Sequence, residues 1–130
     1  MFDTQALLAL YLGEAGADKV ETYLEEVLEK RVRGYLNLIN LAELYYVLRR
    51  VDKDTAEEKE RNLRGFGVRI VSVTDNSPLW KEAAAIKADY AVSLADAFAA
   101  STALLHKGTL LTGSDTEFER VKNLKLERVG

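Results

Sequence analysis

The chain has no cysteine, one histidine and one proline in 130 residues. Without cysteine it can form no disulfide, no zinc–thiolate site and no thiol nucleophile, which is compatible with a reducing compartment. The single histidine, His106, excludes most metal sites built from several imidazoles and weakens any Ser-His-Asp proposal. These absences direct the search for chemistry toward carboxylates.

The chain also lacks a long apolar run and a basic, apolar N-terminal leader. We therefore expect no signal peptide and no membrane helix, and we expect a cytoplasmic protein. The net charge of −3 argues against binding nucleic acid by electrostatic attraction alone. It leaves open a site where metal ions supply the positive charge. Length and a 48% hydrophobic composition suit one domain over residues 1–130.

Hydrophobic periodicity predicts helices alternating with short strands. The predicted helices span 4–12, 17–31, 41–50, 54–67, 76–90, 92–108 and 115–123, and the predicted strands span 34–40, 68–73, 109–113 and 124–129. This alternation predicts the α/β class, as a three-layer α/β/α sandwich with a small, mainly parallel sheet. In such sheets, binding sites form beyond the carboxyl ends of the strands.

Four acidic residues fall where that edge of the sheet is expected. Asp3 follows "MF", and Asp115 lies two residues after "TLLTG". Glu43 and Asp96 lie in the first turns of two predicted helices. All four side chains could therefore meet at one end of the sheet, which makes them candidate catalytic and metal-binding residues.

The helical neighbours of Glu43 and Asp96 explain neither acid. No lysine or arginine lies three or four positions from either residue, so no local ion pair accounts for them. Asp96 shares its face with the small residues Ser93, Ala99 and Ala100, which leave room for an ion or a phosphate.

A cluster of carboxylates needs a counter-charge. Two unit charges 4 Å apart interact by roughly 4 kcal/mol at an effective dielectric of 20. Such a cluster must be partly protonated or must bind a cation. Mg²⁺ and Mn²⁺ prefer oxygen ligands, and metal ions in this setting promote hydrolysis of phosphodiesters. This chemistry requires neither histidine nor cysteine.

Simpler interpretations of the same acids remain open at this point. Asp3 and Asp115 could each cap a helix, and Glu43 and Asp96 could lie at the surface. A phospho-acceptor signalling domain also gathers acids at strand ends. It would carry paired acids after the first strand and a lysine after the last, however, and both are missing here. A non-catalytic interaction domain is a further alternative.

Four segments, in order, resemble the PIN-domain ribonucleases, and within them the small VapC-type toxins of toxin–antitoxin pairs. They are "FDTQALLAL" with Asp3, "NLAELYYVL" with Glu43, "SLADAFAASTALLHKG" with Asp96 and "TLLTGSDTEFERV" with Asp115. The likeness covers nearly the whole chain, and the last two segments are the more specific. Only Met1 and Phe2 precede Asp3, so we expect a very short first strand.

The resemblance implies a homodimeric endoribonuclease that depends on Mg²⁺ or Mn²⁺ and is inhibited by a cognate antitoxin. It implies that Asp3, Glu43, Asp96 and Asp115 hold the metal. Lesser, supporting roles are expected for four further polar residues at the same edge: Thr4, Asn40, Thr112 and Glu117.

Overall fold

A computed structural model describes residues 1–113 and 116–130. Six α-helices lie at α1 (Thr4–Tyr11), α2 (Ala17–Leu28), α3 (Leu38–Val51), α4 (Lys53–Phe66), α5 (Leu79–Asp89) and α6 (Leu94–Leu105). Four strands lie at β1 (Tyr35–Asn37), β2 (Arg69–Val71), β3 (Thr109–Thr112) and β4 (Lys125–Arg128), and a 3₁₀ helix lies at Glu117–Arg120. Among the described residues, no helix is both long and apolar enough to cross a membrane.

The strands form two parallel pairs, β1 with β2 and β3 with β4. The first residues of the chain lie between the pairs. The Phe2 N–H donates to the Tyr35 carbonyl over 2.8 Å, and the Leu111 N–H donates to the Met1 carbonyl over 2.7 Å. The expected very short first strand is thus a single bridge between Phe2 and Leu111. This arrangement confirms the α/β class with small parallel sheets.

Helices cover both faces of these strands, and each face has its own hydrophobic core. The first core joins α1, α2, α3 and α4 through residues such as Leu7, Leu24, Leu44 and Leu63. The second joins α5 and α6 to β3, with Phe98 and Leu110 among its members. The predicted three-layer arrangement is observed.

The predicted strand 34–40 is too long, because Asn37 begins a helix. Its side-chain Oδ1 accepts a hydrogen bond from the Ile39 N–H over 2.8 Å, which caps α3. Asn40 therefore lies in the first turn of α3 rather than in a strand. The other predicted elements are found, but their bounds differ: α3 is longer than predicted, α4 begins and ends one residue earlier, and the rest are shorter. The described part of the predicted 115–123 helix is only a 3₁₀ turn at Glu117–Arg120.

Candidate active site

Asp3 lies at the carboxyl edge of the sheet, between the Phe2 bridge and α1. Its carboxylate accepts the Thr4 N–H at Oδ1 over 2.8 Å and the Thr112 hydroxyl at Oδ2 over 3.0 Å. The residue is only 1% exposed. Asp3 is the N-cap of α1, so the helix-capping interpretation is correct for this residue. Capping alone does not require burial.

The burial of Asp3 has an electrostatic cost that the neighbouring acids increase. Burial, followed by the negative charge of Asp96, raises the pKa of Asp3 from 3.8 to about 7, with a smaller contribution in the same direction from Glu43. The hydrogen bonds from Thr112 and Thr4 act against this rise. Asp96 and Glu43 are therefore both close enough to Asp3 to disfavour its ionised form.

Asp96 lies in the first turn of α6, close to the residue that caps this helix. The Ser93 hydroxyl oxygen accepts a hydrogen bond from the Asp96 N–H over 3.1 Å, so Ser93 is the N-cap of α6. The Asp96 side chain is half-buried. Ala99 and Ala100, one turn further, are fully buried in the second core. Their small size therefore serves the close packing of α6, rather than opening space beside the carboxylate as the sequence suggested.

Glu43 lies in the second turn of α3 and is also half-buried. The ion pairs found in residues 1–113 and 116–130 involve neither Glu43 nor Asp3 nor Asp96. Within that part of the chain, the three acids have no basic side chain to neutralise them. The absence of a local ion pair, expected from the sequence, thus extends to ion pairs with distant residues of the described chain.

Asn40 connects the three helices that carry these acids. It is completely buried, its Nδ2 donates to the Ala95 carbonyl over 3.0 Å, and its own carbonyl accepts the Thr4 hydroxyl over 3.2 Å. The Thr4 hydroxyl thus binds α3, whereas the backbone N–H of the same residue binds Asp3. In the part of the chain that the structure describes, the Oδ1 atom of Asn40 has no hydrogen-bond partner.

The remaining candidates belong to the segment that runs from the end of β3 to the 3₁₀ helix. Thr112, at the end of β3, is fully buried against Asp3. Glu117 is exposed and begins the 3₁₀ helix. Asp115, the fourth candidate acid, lies outside the described residues. Its role as a metal ligand stays a prediction.

Two residues that orient the site were not singled out by sequence. Ser93 caps the helix of Asp96, and Asn37 fixes β1 to α6 because its Nδ2 donates to the Thr102 hydroxyl over 2.9 Å. Ser93 had a recognisable signal, since a serine three positions before an acid is a common start of a helix. The Asn37–Thr102 contact had none, because it joins residues 65 positions apart.

Carboxylate and amide oxygens at this edge suit a hard divalent cation. Over residues 1–113 and 116–130, no three His, Cys, Asp or Glu side chains are arranged to enclose a metal. Mg²⁺ does not need such an enclosure, because it commonly binds one or two carboxylates and keeps several waters. Asp3, with Asp96 and Glu43 near it, supplies carboxylate oxygens of the kind that such a cation binds.

The fold and the acids at the sheet edge, with Asp3 buried and Glu43 and Asp96 half-buried, define a small α/β protein with an acidic site. The chain belongs to the PIN-domain family, whose model matches residues 1–124. No curated protein sequence matches the chain.

The solved structures of similar fold include three toxin–antitoxin complexes. VapBC2 from Rickettsia felis, bound to a DNA fragment from its promoter, has a TM-score of 0.75 at 21% identity, over 100% of this chain and 98% of that one. A toxin–antitoxin complex from Klebsiella pneumoniae has a TM-score of 0.69 at 19% identity, over 95% of this chain and 92% of that one. VapBC-1 from nontypeable Haemophilus influenzae has a TM-score of 0.64 at 17% identity, over 98% of this chain and 96% of that one. At these identities the likeness establishes the fold.

Proposed function

We propose that the protein is a Mg²⁺- or Mn²⁺-dependent endoribonuclease and the VapC-type toxin of a toxin–antitoxin pair. The observation that carries the proposal is the burial of Asp3 beside Asp96 and Glu43. Within the described chain no basic side chain pairs with these acids. A protein keeps such an arrangement, at a cost in stability, where a bound cation offsets the repulsion.

In this proposal, Asp3, Glu43, Asp96 and Asp115 hold the metal. When bound, the metal would make hydroxide available and stabilise the oxygens of an in-line displacement at phosphorus. Thr112 and the Thr4 N–H hold both oxygens of the Asp3 carboxylate in fixed directions. Ser93 and Asn40 fix the turns that carry Asp96 and Glu43, so the protein supplies a prearranged set of oxygens.

The proposed partners are an RNA substrate and a cognate antitoxin protein. Structures of similar fold were determined as toxin–antitoxin complexes, which supports the second. Exposed apolar side chains also lie on the helices of Glu43 and Asp96: Leu38 and Leu94, the first residues of α3 and α6, are 41% and 54% exposed. Tyr46, one turn beyond Glu43, is exposed as well. A protein that docks on these two helices would bury such side chains.

Further parts of the proposal rest on the family resemblance. We place the activity in one domain, residues 1–130, acting as a homodimer in the cytoplasm. Light scattering coupled to size exclusion measures the oligomeric state of the purified chain, and a monomer at micromolar concentration would contradict the dimer.

Incubation of the protein with structured RNA tests the activity. We expect cleavage with Mn²⁺ and none with excess chelator. A phospho-acceptor domain would instead incorporate label from acetyl phosphate and leave RNA intact. A non-catalytic domain would do neither. Intact RNA in a panel that includes total tRNA and ribosomal RNA would contradict the proposal.

A further inference from the structure

Asn40 lies where the three acid-bearing segments meet. Its backbone carbonyl binds the residue after Asp3, its Nδ2 binds the residue before Asp96, and Glu43 follows three positions later on the same helix. One residue thus binds the immediate neighbours of two acids, through its backbone carbonyl at Thr4 and its side chain at Ala95, and shares a helix face with the third.

The Asn40 side chain is only partly hydrogen-bonded within the described chain. A buried asparagine has an amide oxygen that accepts hydrogen bonds and a nitrogen that donates them. The nitrogen is satisfied, but Oδ1 has no donor among residues 1–113 and 116–130, although the residue is 0% exposed. An unsatisfied buried acceptor lowers the stability of a protein, and folded proteins keep few of them. The expected donor is therefore a water molecule.

The surroundings of Asn40 indicate which water this is. Asn37, the other buried asparagine of the same segment, gives both side-chain groups to protein partners, Ile39 and Thr102. Of these two asparagines, only Asn40 has a side-chain oxygen without a partner in the described chain, and Asn40 binds the neighbours of Asp3 and Asp96. A hydrated Mg²⁺ or Mn²⁺ brings several waters whose hydrogens need acceptors, and partners of this kind orient metal sites.

We propose that Asn40 is a positioning residue of the metal site, whose Oδ1 accepts a hydrogen bond from a water of the metal's hydration shell. The inference rests on the proposed function, because it requires that a metal bind at the acids. It adds a neutral oxygen to the acidic set and assigns two tasks to one side chain. The nitrogen side of Asn40 holds α6, and the oxygen side orients bound water.

Exchange of Asn40 for aspartate tests the two tasks separately. Asn40→Asp keeps one oxygen acceptor, adds a negative charge and places an oxygen against the Ala95 carbonyl. We expect a lower melting temperature without metal and Mn²⁺ binding on the order of tenfold tighter in calorimetry without RNA. Asn40→Ala should bind Mn²⁺ on the order of tenfold more weakly. The control Asn62→Asp adds the same charge on the exposed face of α4 and should match wild type.

A purely structural asparagine would give a different result. Asn40→Ala would then be less stable, while its Mn²⁺ affinity would equal that of the wild type, and the inference would be overturned. Absence of Mn²⁺ binding by the wild type would overturn the proposed function together with this inference. The two failures are therefore distinguishable.

A measurement on the unmodified protein does not depend on how well the variants fold. In an NMR titration with Mg²⁺, the side-chain amide signals of Asn40 should shift with the same midpoint as the metal-binding isotherm. Those of Asn37 serve as the internal reference, because both of its polar groups already bind protein. Metal binding that leaves the Asn40 amide unshifted would contradict the inference while leaving the proposed function intact.

Discussion

The hydroxyl of Thr112 donates a hydrogen bond to Oδ2 of Asp3 over 3.0 Å, with both residues buried. This bond joins the end of β3 to the start of α1 across 109 positions of sequence. It is one of two hydrogen bonds that lower the pKa of Asp3 against the larger effect of burial. Thr112 therefore stabilises the ionised form, which is the form that binds a cation.

Replacing Thr112 should matter most when Asp3 is charged. Thr112→Val removes the hydrogen bond and raises the pKa of Asp3 further above its already raised value of about 7. Because a bond to a charged group contributes about 2 kcal/mol, we expect a loss of that order at pH 8 and a smaller loss at pH 5. Urea unfolding of the variant and the wild type at pH 8 and pH 5 measures the two losses of stability. Thr112→Ser keeps the hydroxyl and should retain most of the stability; equal losses at both pH values for valine would contradict this account.

The raised pKa of Asp3 also gives the metal-free protein an unusual dependence on pH. Between the ordinary pKa of 3.8 and about 7, the folded chain holds a proton on Asp3 that the unfolded chain has released. The contribution of Asp3 to the free energy of unfolding therefore falls as pH rises through this window and is constant above it. Asp3→Asn should remove that fall and stabilise the protein at pH 8 by an amount on the order of a few kcal/mol.

A second helix-capping aspartate provides the control. Asp52 caps α4, and hydrogen bonds from the Thr55 hydroxyl and N–H lower its pKa. Its contribution to stability is present at neutral pH and is lost as pH falls through its lowered pKa. Asp52→Asn should therefore destabilise the protein at pH 8, where Asp3→Asn stabilises it. The same sign for both variants would show that burial of Asp3 is not costly.

Metal binding should depend on pH through the same carboxyl group. Below about pH 7, a cation must displace the proton from Asp3, so the apparent Mn²⁺ affinity should fall by up to about tenfold per pH unit. Above that pH the affinity should level off. Calorimetry without RNA, in buffers of different ionisation enthalpy, gives both the affinity and the number of protons released. Binding that does not change between pH 5.5 and 8 would exclude Asp3 as a ligand.

Much of the fold follows from local sequence. Helices and strands were predicted in the right order, because apolar periodicity and turn residues act over a few positions. The boundary at Asn37 was wrong because an alternating apolar pattern continues past a residue that caps a helix. The pattern of "GYLNLIN" does not reveal that the Asn37 side chain turns back onto its own backbone.

The acids themselves were predictable, but their energetics were not. Residue type and position relative to strand ends pointed to Asp3, Glu43 and Asp96 as neighbours. Burial of Asp3 and the unsatisfied oxygen of Asn40 depend on contacts between distant segments, which a single sequence does not specify. The small residues near Asp96 were misinterpreted for the same reason, since Ala99 and Ala100 serve packing between helices.

Metal-dependent RNA cleavage by matched variants tests the central claim most directly. Wild type, Asp96→Asn and Asp89→Asn are compared on structured RNA with Mn²⁺ and with chelator; Asp89 is an exposed acid of α5, so both variants lose one negative charge. We expect cleavage by wild type and Asp89→Asn, abolished by chelator. Asp96→Asn should be inactive yet at least as stable as wild type, because it relieves repulsion on Asp3. Cleavage by Asp96→Asn at the wild-type rate, or cleavage that survives the chelator, would contradict the account.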